Sequence, residues 1–110
     1  MFTITVVVRK RSDVSTEEFR RIWKEVYGPM YRQLPQVKSY VQYHLNDHRK
    51  DDAEEPIDGI VLMSFDSEDA MKEAWNTETY KRAAKVRETI MRETAVGVHV
   101  GWVDDIVKIV

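Results

Sequence analysis

Residues Phe19–Pro35 read FRRIWKEVYGPMYRQLP, and the spacing of their apolar side chains decides the first element of the fold. Phe19, Ile22, Trp23, Val26 and Met30 recur at i, i+3, i+4, i+7 and i+11, which places them on one face of an α-helix. Such a face must be buried. Its start is equally legible: Ser15 and Glu18 stand in capping-box register, while Val14 and Phe19 hold the N′ and N4 positions of a hydrophobic staple. Pro29 removes a backbone donor and drives the residue before it away from the α region, so the helix is expected to end or bend near Tyr27-Gly28. Pro29 then opens a second short turn running to Leu34-Pro35.

Working outward, Phe2–Val8 is short and rich in β-branched residues, which favours a strand, and Val37–Leu45 suits a second one. Between them, Asp13–Leu34 is the helical region. Asn46–Pro56 is a polar connection, long for a hairpin and expected to be mobile, with Ala53 its one apolar anchor. Ile57–Phe65, IDGIVLMSF, is almost continuously apolar after Asp58-Gly59, as in a central strand covered on both faces. Asp66 or Ser67 can cap a helix that turns Ala70, Met71, Ala74 and Trp75 inward. Asn76 or Thr77 recaps a second piece whose inward residues are Tyr80, Ala83, Ala84, Arg87, Ile90 and Met91, and Gly97 marks the exit. The tail VHVGWVDDIVKIV supplies the last strand.

Strand, helix, two strands, helix, strand is the βαββαβ order of a ferredoxin-like α+β sandwich, here a single domain over residues 1–110. Both helices would cover one face of an antiparallel sheet. The other face keeps Val, Ile, Met and Phe side chains with nothing in the chain to bury them, so a second copy is the simplest cover and a homodimer is expected.

Composition removes several function classes. Charged residues make up 33% of the 110 positions and the net charge is −2, with Lys and Arg scattered among acids, so no basic stripe points to nucleic acid. The chain has no cysteine, which removes disulfides, thiolate metal sites and Cys nucleophiles and fits a reducing, cytoplasmic setting. Phe2–Val8 precedes the basic Arg9-Lys10-Arg11, the reverse of a signal peptide, and no apolar stretch has membrane-spanning length. There is no Gly-rich phosphate loop, and His44, His48 and His99 show no metal-ligand spacing, so neither a nucleotide nor a metal is expected.

Ser15-x-x-Glu18-Phe19, Trp23, Gly28-Pro29, Leu34-Pro35, Tyr40-Val41-Gln42, and Asp58-Gly59 leading to Phe65, taken in order and spacing, resemble the EthD-type family of the dimeric α+β barrel superfamily. The resemblance spans most of the chain. It implies a small homodimer that works without an organic cofactor on aromatic, lactone or polyketide-like compounds, since relatives in the superfamily include isomerases, cyclases and oxygenases. At one position the chain departs. The family's usual pattern after the tryptophan is three residues, then His, a small residue and Pro, and that His position is Tyr27 here. Imidazole titrates near neutrality, whereas a phenol of pKa about 10 serves chiefly as donor and orienter.

Three residues are therefore assigned catalytic roles in an isomerase, lyase or cyclase acting by proton transfer. Tyr27 donates to an oxyanion; its plainer reading is a core tyrosine with a wet hydroxyl. His44, on the same strand face as Tyr40 and Gln42, is the general base; its plainer reading is an exposed histidine at a strand end. Asp58 orients His44 or a substrate hydroxyl; its plainer reading is a turn-forming aspartate. Trp23, Tyr31, Tyr40, Gln42 and Trp75 are expected to line the pocket for a flat, apolar small molecule. Two other readings stand beside this one: a ligand-binding or accessory protein without turnover, and a cofactor-independent oxygenase.

Overall fold

Phe2–Val8 forms strand β1, the centre of the sheet in the computed structural model, which describes residues 1–48, 51–52, 55–93 and 97–110. Along β1, Ile4 and Val8 are buried while Thr3, Thr5 and Val7 are half-buried, the alternation expected when helices cover one face only. Strand β2 (Val37–His44), β3 (Gly59–Phe65) and β4 (His99–Trp102) complete a four-stranded antiparallel sheet in the order β2-β3-β1-β4. One row of the register joins Tyr40 to Met63, Met63 to Ile4, and Ile4 to Trp102; another sets His44 opposite Gly59 and Gly59 opposite Val8. This is the ferredoxin-like βαββαβ arrangement.

Helix α1 (Thr16–Ile22) begins where the cap signals place it, with the Ser15 hydroxyl accepting the Glu18 N–H at 3.1 Å. The Glu18 carboxylate turns to Arg21, at 2.6 Å, so only half of the capping box forms. Val14 packs against the core and Phe19 is fully buried, which is the staple.

Beyond Ile22 the structure corrects two expectations. Trp23–Tyr27 forms a π-helical turn, closed by the Gly28 N–H on the Trp23 carbonyl five residues back. The wider turn carries one extra residue and rotates the stripe, so Val26 is 43% exposed and Tyr27, at 5%, takes the inward place. Pro29 does not end the helical path either. It lies in the first turn of α2 (Gly28–Met30), where a missing N–H leaves no broken bond, and the path continues as a 3₁₀ turn over Tyr31–Gln33.

Of the alternative caps, Ser67 starts α3 (Glu68–Trp75) and Thr77 starts α4 (Glu78–Ile90), each hydroxyl accepting an N–H at 3.1 Å. Phe19, Trp23, Phe65, Met71, Ala74 and Ile90 meet in one core between helices and sheet, each at 0–1% exposure. Burying each of the larger ones contributes on the order of 1.5–3 kcal/mol.

Several element ends differ from the reading of the sequence. β3 begins at Gly59, so Ile57 and Asp58 precede it, and its outer face carries half-buried Ile60, Leu62 and Ser64, which no helix among the described residues covers. β4 stops at Trp102; the Val103 N–H still donates to the Thr3 carbonyl at 2.9 Å, and beyond it Ile106, Val107, Ile109 and Val110 are exposed. The connection over 46–56 lies partly outside the described residues, Ala53 with it; at its ends Asp47 accepts the Ile57 N–H at 2.7 Å.

Candidate functional site

The shift of register at Trp23–Tyr27 aims Tyr27 into the space between helices and sheet, where a cavity of about 50 Å³ remains. Its floor is Ile4, Val6, Val61 and Met63 from the sheet; Trp23, Tyr27, Tyr31, Tyr40, Trp75 and Tyr80 wall it, and Arg87 lies on its helical side. A cavity of this size holds one or two waters, whereas a benzene ring needs a cavity of roughly 150 Å³.

The aromatic walls are mutually braced. Tyr31 stacks on Tyr40 with centroids 4.5 Å apart and planes 12° from parallel, and Tyr27 meets Tyr31 edge to face at 5.3 Å. The Tyr27 and Tyr31 hydroxyls lie 2.5 Å apart, one helical turn along the chain, so one phenol donates to the other. Burial pushes the pKa of Tyr27, Tyr31 and Tyr40 above that of a free phenol, and for Tyr27 the Tyr31 hydroxyl and the Arg87 cation oppose the push. These phenols stay protonated at physiological pH. They donate; they are not bases.

Trp23 adds a further donor. Its ring is fully buried, and its indole N–H meets no acceptor in hydrogen-bonding geometry among the described residues, although it is near enough to the Tyr40 hydroxyl to influence it. A buried donor left unpaired costs about 1–3 kcal/mol, which an incoming acceptor would recover.

His44 is placed differently from the expectation that made it the base of this site. Its ring is exposed and packs on Trp23 at 4.6 Å between centroids, and it is not among the residues lining the cavity. Nε2 of His44 is 3.0 Å from Gln42 Oε1, and the Gln42 amide donates to the Trp23 carbonyl at 2.8 Å and to the Tyr40 hydroxyl at 3.1 Å. Partial burial lowers the His44 pKa, with Arg20 and Lys24 adding to the effect, so the ring is neutral near pH 7.

Asp58 does not orient His44. Its carboxylate accepts the Lys10 N–H at 2.8 Å, and its backbone bonds Val8 and Leu45, so it ties the end of β1 to the entry of β3. Tyr27, His44 and Asp58 thus occupy three separate places: the cavity, the outer side of Trp23 and the edge between two strands. The expected catalytic trio does not converge.

Of the expected lining residues, Trp23, Tyr31, Tyr40 and Trp75 do reach the cavity. Gln42 instead lines a larger, open groove of about 350 Å³ between Gly28–Arg32 and β2, with Lys24, Lys38 and Arg32 at its rim. Tyr31 and Tyr40 line both spaces and so divide groove from cavity. Among the polar residues that line the cavity, Tyr80 and Arg87 escaped assignment to the site. The signal was present, since Arg87 sits in the inward stripe of α4 with Ala83 and Ile90, and a cation there needs a reason.

Among the described residues, no three His, Cys, Asp or Glu side chains converge as a metal site, and no helix is long and apolar enough to cross a membrane.

Comparison with known proteins bears on the same segment. The model of the EthD domain matches residues 11–91, from the approach to α1 through the whole of α4. The chain belongs to the EthD family. Solved structures carry the same fold at low identity. An EthD family protein from Bacillus halodurans superposes with a TM-score of 0.73 at 11% identity over 96% of this chain and 100% of that one. A protein from Arabidopsis thaliana gives 0.73 at 14% identity over 100% of both chains. A dimeric protein of ferredoxin-like fold from Bacteroides fragilis gives 0.64 at 13% identity, covering 93% and 91%. No curated protein matches the chain significantly. Within the EthD family, then, this member lines the cavity between helices and sheet with Tyr27 and Trp23.

Proposed function

We propose that this EthD protein binds a small, flat, apolar molecule carrying an oxygen acceptor, seated in the groove of about 350 Å³ with only its oxygen reaching past Tyr31 and Tyr40 into the small aromatic cavity beside Tyr27 and Trp23. The indole N–H of Trp23 carries the reading: among the described residues it is a buried donor with no acceptor in good geometry, beside a cavity also lined by the Tyr27 hydroxyl. Parallel and edge-on tyrosines suit a planar ligand. A homodimer supports the same picture, because Val41 and Tyr43 on the open sheet face are 43% and 48% exposed, with half-buried Leu62 beside them, and a second copy covers them without disturbing the cavity. Aromatic, lactone and polyketide-like molecules fall within the class.

Binding is the first reading because no described residue lining the cavity is a base at neutral pH. Turnover by proton transfer, as in an isomerase, lyase or cyclase, is the second. One observation favours it: His44 is neutral and lies one ring thickness beyond Trp23, so a side-chain rearrangement would bring it to a ligand that enters from the groove. A thermal-shift screen of phenols, lactones and β-diketones, with product analysis of every hit, separates the two. Stabilisation that disappears in Tyr27→Phe supports the site. Product formation that His44→Asn abolishes would move the protein to the second reading, and stabilisation untouched by Tyr27→Phe would place the ligand elsewhere.

A further inference from the structure

We propose that the tail Asp104–Val110 of a second copy of this chain adds to the free edge of β2 and closes the mouth of the groove beside it. The proposal stands on the edge and the tail, whatever the groove binds.

Beyond the Val103 N–H on the Thr3 carbonyl, the tail reads DDIVKIV and every residue of it is exposed. Ile106, Val107, Ile109 and Val110 are each at least 69% exposed. Aliphatic side chains left in water in such a row mark a surface that another one covers. β-branched residues of this kind suit a strand. In strand alternation Ile106 and Val110 fall on one side and Val107 and Ile109 on the other, which is the pattern of a strand covered on both faces.

The sheet offers one long bare edge. β2 ends it on the side away from β4, so the outward backbone groups of an eight-residue strand have no partner strand. On the helix side of β2, Tyr40 and Gln42 line the groove; on the other side, Val41 and Tyr43 are exposed. A strand laid along this edge turns one row of side chains over the groove and the other toward the open sheet face. Both rows of the tail are then covered.

Distance assigns the tail to another copy. It leaves the sheet at β4, three strand spacings or roughly 14 Å from β2 of its own chain. Crossing that gap takes about four residues of extended chain, which leaves too few to pair. In an isologous face-to-face pair with its two-fold axis along the strands, β4 lies over β2 of the other copy, roughly 10 Å away. About three residues bridge that gap, and Ile106–Val110 remain to run along the edge. Charge favours the same pairing. Asp104 and Asp105 form no ion pair, Lys24 and Arg32 at the groove form none among the described residues, and Lys38 reaches Asp66 only at 3.8 Å. Acids that lead the tail thus meet cations beside the edge.

The chain has no cysteine, so single introduced cysteines report contacts between copies cleanly. Full-length Ser39→Cys, on the β2 edge, and Val107→Cys, in the tail, are mixed, equilibrated, oxidised and resolved by mass. The mixed disulfide is expected to exceed both self-disulfides, and to fall to background when Lys85→Cys on α4 replaces Ser39→Cys. All three positions are exposed, so the fold tolerates the changes. Val107→Ser combined with Ile109→Ser should weaken the dimer about tenfold in sedimentation equilibrium. A mixed disulfide no more abundant than with Lys85→Cys, self-disulfides of Val107→Cys in excess, an unchanged dissociation constant in the serine variant, or a monomeric wild type would each overturn the proposal. None of these results bears on whether the groove holds a ligand, which the thermal-shift screen reads separately.

Discussion

Trp23 and Gly59 are complementary: the six-membered ring of the indole fills the space that a Cβ at residue 59 would occupy, in direct collision with ring atoms Cη2 and Cζ3. Trp23 is in turn packed against Phe19 at 5.2 Å and His44 at 4.6 Å, which hold it in place. Gly59→Ala is therefore expected to lose about 1–3 kcal/mol, the usual cost of overpacking a filled core. Urea denaturation measures it; a loss below about 0.5 kcal/mol would mean that the indole moves freely.

Tyr27→Phe leaves the buried Tyr31 hydroxyl without its 2.5 Å partner. A loss of about 1–2 kcal/mol in stability should follow, and oxygenated ligands should bind several-fold more weakly. Thermal melts with and without ligand read both effects. Tyr31→Phe serves as the control, since it should cost similar stability with a smaller effect on binding.

Alkaline stability follows from the buried phenols. Their pKa values are raised by burial in the folded protein, so the folded state holds its protons more tightly than the unfolded chain, where phenols titrate near pH 10. The contribution is complete below about pH 10 and is lost as pH rises through the folded values. Phenolate absorbance should therefore lag for Tyr27, Tyr31 and Tyr40 and appear together with unfolding. Early ionisation of Tyr27 in a still-folded protein would contradict its burial.

Acid acts through His44 with the opposite sign. Its folded pKa is depressed, so on acidification the unfolded chain takes up the proton first, near pH 6.5, and stability falls from there downward through the folded value. The ring is exposed to solvent, which keeps the effect small. Melting temperature followed from pH 7.5 to 5 should decline less steeply in His44→Asn than in the wild type; parallel slopes would assign the decline to other groups.

Leu62 sits on the open face of β3, half-buried in the single chain and flanked by β2, whose Val41 and Tyr43 are exposed. Leu62→Glu would force a carboxylate into a face-to-face interface, so a dimeric wild type should become monomeric with its fold intact. Light scattering coupled to size exclusion, with far-ultraviolet circular dichroism, checks both. A variant that remains dimeric would place the interface elsewhere.

Much of this protein was legible in its residues alone. Ser15, Phe19 and Trp23 determined where the first helix starts and which way it faces, because capping bonds and a 3.6-residue period depend on neighbours a few positions apart. Alternation in the strands determined that Tyr40, Gln42 and His44 share one side of β2 and that an apolar sheet face stays open. Only the tertiary structure decided what stands at the site. The π turn brings Tyr27 in and turns Val26 out, and its carbonyl at Trp23 is held by Gln42, nineteen residues away in sequence, so no local period could report it. The same fully buried indole stands between His44 and the cavity, and Asp58 answers to the Lys10 amide rather than to His44. Arg87 acquires its place from Tyr80, Glu93 and Tyr27 together. Local sequence sets directions within an element, whereas which directions meet depends on contacts between elements, and the cavity consists of such meetings.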